Sequence, residues 1–134
     1  MILGVEATPV LEVTRRIRFE AAHHLPGHPG ECARVHGHSW QAWITVRGPQ
    51  QTEGDDAGMV IEMGKLADFF KSDVEPGLDH RALNDTLPDE FLPPTTENVA
   101  RFLLAVFRGA GFPVVRVTVR ETENQEATAF HADE

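Results

Sequence analysis

The sequence has very little of what a secreted or membrane-bound protein needs. It contains a single cysteine, Cys32, which cannot form an internal disulfide bond, so nothing points to an oxidising compartment. No apolar run approaches the roughly 20 residues of a membrane-spanning helix. The first residues, Met1–Pro9, lack the basic stretch followed by an apolar stretch that marks a signal peptide. We therefore expect a cytoplasmic protein without a membrane partner.

Positive charge is also scarce. There are 12 lysine and arginine residues against 21 aspartate and glutamate residues, and the formal net charge is −9. Because nucleic-acid-binding domains normally carry a basic patch, we expect no nucleic-acid partner. A local pocket can still be positive, so a phosphorylated small molecule stays open as a ligand. The length of 134 residues predicts a single domain spanning 1–134.

Two segments in the first third of the chain alternate between apolar and polar residues. This period of two predicts β-strands over Leu11–His23 and His38–Gly48, each with one face toward the core. The intervening segment Pro26–Cys32 is rich in glycine and proline and predicts a loop.

The rest of the chain changes period. Apolar residues recur at helical spacing over Glu62–Val74 and over Thr96–Ala110, where Thr95 can cap the helix. A loop is expected over Leu78–Pro94. Valine-rich and shorter alternating segments predict the final strands, Val114–Thr122 and Ala127–Ala132.

The predicted order is β-β-α-α-β-β, which indicates an α+β fold with an antiparallel sheet and two helices on one face. Two helices can cover only one face of such a sheet. The other face still carries apolar residues such as Trp43, opposite Trp40. We therefore expect that face to meet another subunit in a homo-oligomer.

Three histidines predict a metal site. His36 and His38 flank a glycine on one strand and point the same way, and His23 ends the paired strand. Three imidazoles suit zinc and leave a fourth position open, as in catalytic sites. A bare pair of histidines two residues apart is as often a pair of surface side chains. The third histidine and the nearby cysteine favour the zinc site.

Cys32 has three possible roles. It lies four residues before His36, in the loop that leads to the metal ligands. A cysteine near a cation has a lowered pKa and can act as a nucleophile or base. It could instead be a fourth zinc ligand, which would make the site structural, or a small buried side chain. The sequence leaves this choice open.

Acidic residues offer two further candidate groups. Asp79 precedes His80, and a carboxylate beside an imidazole can orient it in an acid–base relay; a helix cap with an exposed histidine is the alternative. Glu97 and Glu121 are candidates to accept two parallel N–H donors, the pattern shown by the 2-amino-4-oxo edge of a pterin or guanine. Each glutamate taken singly is more often a solvated surface residue.

Together, five motifs in this order resemble the 6-pyruvoyltetrahydropterin synthase family, and within it the bacterial 6-carboxytetrahydropterin synthase branch. The resemblance runs from about Phe19 to Phe130. The motifs are Phe19–His23, Cys32–His38, Leu78–His80 with Leu83 and Asn84, Pro94–Glu97, and Arg120–Thr122.

The resemblance implies a fold and a set of residue roles. The fold is the tunnelling fold (T-fold), in which subunits form a trimeric β-barrel that is commonly doubled to a hexamer. One zinc ion per subunit would be held by His23, His36 and His38. Cys32 would be the catalytic base, and Asp79 and His80 its proton-relay partners. Glu121 would anchor the pterin ring, with help from Thr95, Thr96 and Glu97.

The implied substrate is 7,8-dihydroneopterin triphosphate. The products would be 6-carboxy-5,6,7,8-tetrahydropterin, acetaldehyde and triphosphate, on the route to queuosine and other 7-deazapurines. The three-residue gap between Cys32 and His36 is similar to the carboxy-forming branch. The alternatives are a pyruvoyl-forming synthase, a catalytically idle zinc-containing pterin-binding protein and an unrelated zinc hydrolase. One departure from the family is Glu62–Met63, where Asp-Phe is usual, and we expect that position to be structural.

Overall fold

A five-stranded sheet organises the molecule. The computed structural model describes residue 4 and residues 9–133. The strands are β1 Leu11–His23, β2 His36–Gly48, β3 Arg81–Ala82, β4 Val114–Thr122 and β5 Gln125–Phe130, in the spatial order β3-β1-β2-β4-β5. Most of Met1–Pro9, where we expect no signal peptide, lies outside the described residues.

The long pairings are antiparallel, as predicted. β1 and β2 pair along their full length, from Leu11 opposite Gly48 to His23 opposite His36. β2 pairs with β4, and β4 with β5, in the same sense. β2 begins two residues earlier than predicted, so both histidines of the His-Gly-His motif lie within it.

One edge of the sheet departs from the prediction. β3 pairs parallel to β1, with Ala21 opposite Arg81, so the sheet is mixed and has five strands rather than four. The predicted loop Leu78–Pro94 therefore contains a strand, followed by the short helix α2, Leu83–Thr86, and a 3₁₀ turn, Asp89–Phe91. A two-residue strand is too short to produce an alternating pattern, which explains the miss.

Two helical segments cover one face of the sheet. α1 spans Gly64–Phe69 and continues into a π-helical turn, Phe70–Val74, so the predicted helix starts later and changes form midway. α3 spans Thr96–Gly109, and the Thr95 hydroxyl accepts a hydrogen bond from the Asn98 amide, as expected of the cap. Gly111 follows with φ +96°, a conformation that favours glycine and ends the helix.

Glu62 has a structural role at the start of α1. Its Oε1 accepts a hydrogen bond of 2.8 Å from the Gly64 amide, and a Cβ added to Gly64 would come within 2.8 Å of the same carboxylate. The pair therefore closes the first turn of α1. This agrees with the expectation that Glu62–Met63 is a structural departure.

The core lies between the helices and the inward face of the sheet. Alternate residues of the strands are buried there, and Trp40 stacks on Phe19 with ring centroids 5.9 Å apart. The opposite face carries no helix among the described residues and is largely polar. On that face the Arg120 guanidinium lies 4.9 Å from the centroid of the Trp43 ring.

The α+β prediction is thus confirmed, with a mixed sheet. The barrel-forming oligomer and the single-domain boundary at 1–134 stay predictions. None of the described helices has both the length and the apolar character needed to cross a membrane.

Candidate metal centre

The three predicted ligands meet at one end of the β1–β2 pair. His23 lies directly opposite His36, and His38 lies opposite Ala21. A ring nitrogen from each of the three histidines lies within 4.8 Å of the others, and the ring centroids are 4.5 to 5.1 Å apart. We call His23, His36 and His38 the histidine cluster.

Backbone carbonyls orient two of these rings. His23 Nδ1 lies 2.7 Å from the Pro94 oxygen, and His36 Nδ1 lies 2.7 Å from the Arg34 oxygen. A carbonyl oxygen can only accept a hydrogen bond, so each Nδ1 carries the proton and each Nε2 presents a lone pair when the ring is neutral. This arrangement is typical of metal-binding histidines, whose second nitrogen is held by an outer partner.

Burial keeps two rings of the histidine cluster in the neutral form. The His23 side chain is only 3% exposed, and the edge of its ring faces Trp40. Burial lowers the pKa of His23 and of His38, with the neighbouring Glu121 carboxylate opposing this shift. Both rings therefore favour the neutral form that binds metals.

Among the described residues, two buried ring nitrogens have no hydrogen-bond partner. These are His23 Nε2 and His38 Nε2. An unpaired buried polar atom costs free energy, and a metal ion would satisfy both atoms at once. The donor set of three imidazoles fits zinc, and the described residues thus fit the predicted ion.

Glu121 lies closer to the cluster than the sequence indicated. Its Oε2 is 3.3 Å from His23 Nε2 and 3.7 Å from His38 Nε2. Glu121 follows Val117 and Val119 on the inward face of β4, and alternation along that strand is the signal that could have revealed this position. The structure brings Glu121 to the histidines, and its assignment to a pterin edge stays a prediction.

Asp79 and His80 form a second group, which we call the relay pair. Asp79 Oδ2 accepts a hydrogen bond of 2.8 Å from His80 Nδ1, so these sequence neighbours do contact each other. Asp79 Oδ1 accepts another from the Glu20 amide, and this bond, together with His80, lowers the pKa of Asp79. His80 has φ 57°, and its amide donates to the Glu20 carbonyl, which fixes the pair to β1.

A groove joins the relay pair to the end of the histidine cluster. His38 and His80 both line it, together with Glu20 and Ser39, whose hydroxyl donates to the Glu20 carboxylate. The His80 side chain is 79% exposed, so its ring opens to solvent in the single chain. Sequence reasoning missed Glu20 and Ser39, because they alternate onto the opposite face of their strands.

Cys32 belongs to neither group by the contacts of the described residues. It is exposed in the 3₁₀ turn Glu31–Ala33, which excludes the small buried side chain considered from the sequence. Its carbonyl accepts a hydrogen bond from the Leu25 amide and closes the loop. Over the described part of the chain, no hydrogen bond joins the thiol to the relay pair or to the histidine cluster. The group of side chains that could hold a metal ion comprises the three histidines without Cys32.

The segment before α3 contributes through its backbone as well as its side chains. The Pro94 carbonyl accepts the hydrogen bond from His23 Nδ1, and no sequence pattern predicts this role. The Thr95 hydroxyl is engaged as the helix cap. Thr96 and Glu97 line an open groove together with the β4–β5 turn.

The chain is similar to known proteins over most of its length. The sequence profile of the 6-pyruvoyl tetrahydropterin synthase family matches residues 12–132. The chain is 38% identical over 120 residues to a 6-carboxy-5,6,7,8-tetrahydropterin synthase of Synechocystis sp., covering 88% of this chain and 92% of that one. It is 37% identical over 95 residues to the Bacillus subtilis protein of the same name, covering 67% and 60% of the two chains.

A solved structure has the same fold. The Caenorhabditis elegans 6-pyruvoyl tetrahydropterin synthase superposes with a TM-score of 0.79 at 25% identity, covering 96% of this chain and all of that chain.

Proposed function

Since the chain belongs to the 6-pyruvoyl tetrahydropterin synthase family, we propose that it is a zinc-dependent 6-carboxy-5,6,7,8-tetrahydropterin synthase. The substrate would be 7,8-dihydroneopterin triphosphate, and the products 6-carboxytetrahydropterin, acetaldehyde and triphosphate. In this reading the enzyme is a lyase that breaks carbon–carbon and carbon–oxygen bonds. Its product would feed the synthesis of queuosine or other 7-deazapurines.

The observation that carries the proposal is the histidine cluster in its family setting. Three clustered imidazoles, two of them with a buried and unpaired Nε2, lie in a chain that covers 92% of a relative named 6-carboxy-5,6,7,8-tetrahydropterin synthase. The three-residue gap between Cys32 and His36 also supports that branch.

His23, His36 and His38 would hold the zinc ion. When bound, the metal supplies Lewis-acid polarisation of substrate oxygen atoms at this site. The carbonyls of Pro94 and Arg34 keep two of the rings in the tautomer that presents Nε2. Trp40, fully buried beneath the cluster, excludes water from its inner side.

Cys32 would take a proton from the substrate side chain. Its exposure leaves the thiol free to meet a bound molecule. Asp79 would hold the proton on His80 Nδ1, which leaves His80 Nε2 to exchange a proton with the substrate. The groove shared by His38 and His80 supports a substrate that spans the two groups.

Glu97 and Glu121 would bind the pterin, with Thr95 and Thr96. A carboxylate pairs well with two parallel N–H donors. Glu97 is exposed beside the β4–β5 turn and can accept them directly. Glu121 lies against the histidines, so it would have to leave them to reach a pterin edge.

Assembly into a trimer or hexamer, through a β-barrel, is part of the same proposal. The sheet face that carries no helix among the described residues supports it. A cytoplasmic location is supported by the lone exposed cysteine.

Product identification tests the function. Purified, zinc-loaded protein is incubated with 7,8-dihydroneopterin triphosphate and the products are identified by mass. We expect 6-carboxytetrahydropterin and acetaldehyde, both abolished by a chelator. A pyruvoyl product would retain the family but reject the branch. Pterin binding without turnover would favour the idle pterin-binding protein.

A further inference from the structure

We propose that Asn84 is a positioning residue for the relay pair. Its side-chain amide fixes the register in which the segment that carries Asp79 and His80 lies against β1. The effect on turnover rests on the function proposed above, whereas the register is a property of the chain itself. Asn84 belongs to one of the five sequence motifs, and none of the roles proposed above uses it.

The first observation is a pair of hydrogen bonds between Asn84 and the residue that follows β1. The His24 amide donates to Asn84 Oδ1, and Asn84 Nδ2 donates to the His24 carbonyl, each over 2.9 Å. Both residues are half-buried. One carboxamide supplies an acceptor and two donors, so it can satisfy both backbone groups of His24 in place of a neighbouring strand.

The second observation is a matching attachment at the other end of the same segment. Asp79 Oδ1 accepts a hydrogen bond of 2.8 Å from the Glu20 amide, and the His80 amide donates to the Glu20 carbonyl. Residues 79–84 therefore run beside residues 20–24. A side chain bonds to the β1 backbone at each end of this run, and β3 lies between the two attachments.

The strand between these attachments is short. β3 contributes two residue pairs with β1, Ala21 with Arg81 and Ala22 with Ala82. Because side chains alternate along a strand, a shift of one residue would turn them to the opposite face. His80 would then leave the groove that it lines together with His38. The bonds of Asn84 oppose that shift.

The backbone of His80 also needs support from its surroundings. Its φ of 57° lies in the left-handed region, which residues with a Cβ seldom adopt unless other contacts hold them there. Glu20 holds the residue on one side, and β3 with Asn84 holds the chain that follows it. Releasing Asn84 should therefore let the relay pair move, although no contact of Asp79 or His80 is removed.

Four zinc-loaded proteins test this inference: wild type, Asn84→Ala, Asn84→Asp and Asp85→Ala. Asn84→Asp keeps an acceptor for the His24 amide and loses the donor to the His24 carbonyl. Asp85→Ala is the matched control, because Asp85 is an exposed neighbour in the same short helix. Circular dichroism and metal content are recorded for each protein.

Amide hydrogen exchange, followed by mass spectrometry, measures the attachment without reference to activity. In Asn84→Ala we expect residues 78–82 to exchange at least about tenfold faster than in wild type, because two hydrogen bonds that hold the segment are lost. Residues 40–48 of β2 should exchange as in wild type. Asn84→Asp should lie between the two proteins, and Asp85→Ala should match wild type.

Steady-state kinetics with 7,8-dihydroneopterin triphosphate measures the consequence for turnover. We expect kcat of Asn84→Ala to fall by about 10- to 100-fold, because a displaced proton-transfer group is costly. KM should stay within about twofold, since the interaction lost is one made in the transition state. Asn84→Asp should recover part of kcat, and Asp85→Ala should match wild type.

Three results would overturn the inference: unchanged exchange over residues 78–82 in Asn84→Ala, an unchanged kcat in that variant, or a loss of its zinc. Loss of zinc would place the effect at His23, the neighbour of His24, rather than at the relay pair. A wild-type protein without turnover would reject the proposed function instead, and the exchange measurement would still show whether Asn84 fixes the segment.

Discussion

The histidine cluster and the relay pair are built in opposite ways, although one groove touches both. The histidines come from two long strands that pair along thirteen residues each, and they rest on the core through Trp40. Asp79 and His80 lie at the outer edge, held to β1 by a two-residue strand, and Cys32 lies in an exposed turn. The chain therefore holds the histidine cluster on a rigid part of the sheet, whereas Asp79, His80 and Cys32 lie on its more exposed parts.

The largest effect is expected from removing one histidine of the cluster. His36→Ala should weaken zinc binding by at least about 100-fold and abolish turnover, because two imidazoles cannot replace three. The fold should persist, since His36 lies at a strand end and is only half-buried. Metal content after dialysis and product formation are measured, with His131→Ala, an exposed histidine outside the cluster, as the control. Stoichiometric zinc in His36→Ala would contradict the assignment.

Removing the thiol should separate chemistry from metal binding. Cys32→Ala should lower turnover by about 10² to 10⁴. The zinc content should stay at one per chain, because Cys32 is not part of the histidine cluster. Turnover and metal content are measured on the same preparation. Loss of zinc in this variant would instead identify Cys32 as a ligand of a structural site.

The relay pair is tested through Asp79. Asp79→Asn removes the carboxylate that orients His80, so turnover should fall by about 10² while zinc affinity stays unchanged. Equal turnover in the two proteins would remove Asp79 from the mechanism.

The buried histidines predict how the metal-free protein responds to acid. Their pKa values in the folded state are lowered by burial, so the unfolded state takes up protons first as the pH falls below about 6.5. Stability of the metal-free protein should therefore decline between about pH 7 and pH 5. His38→Ala should show a smaller decline in melting temperature over the same range. An identical decline would mean that other groups control it.

The smallest effect is expected from a change that lowers the stability of α3 and leaves the metal centre unaltered. Thr95→Ala removes the cap of α3 and should lower the free energy of unfolding by about 1 kcal/mol, measured by urea denaturation. Zinc affinity should stay within about twofold, because His23 is held by the carbonyl of Pro94 rather than by the Thr95 side chain. Thr95→Ser, which keeps the hydroxyl, is the matched control.

The sequence predicted the parts of the molecule that repeat a pattern. Long alternating segments identified β1, β2 and β4, and the apolar stripe and Thr95 identified α3. The same alternation put His36 and His38 on one side and brought His23 opposite them. These inferences succeed because side-chain direction follows directly from the strand period.

Other parts left no such pattern. β3 has two residues, so it could not be read from periodicity, and its parallel pairing depends on the backbone of Glu20. Every residue has a backbone carbonyl, so the contact between the Pro94 carbonyl and His23 leaves no signal in the sequence. Glu121 did share the inward face with Val117 and Val119, but alternation along β4 does not give its distance from the histidines.

The hydrogen bond between Pro94 and His23 has a thermodynamic consequence. The residue that orients a metal ligand directly precedes Thr95, Thr96 and Glu97, which are proposed to bind the pterin. A ligand whose binding moves the Pro94 carbonyl also moves the imidazole that donates to it. The two binding equilibria are then linked, and any factor by which the pterin alters affinity for the ion must equal the factor by which the ion alters affinity for the pterin.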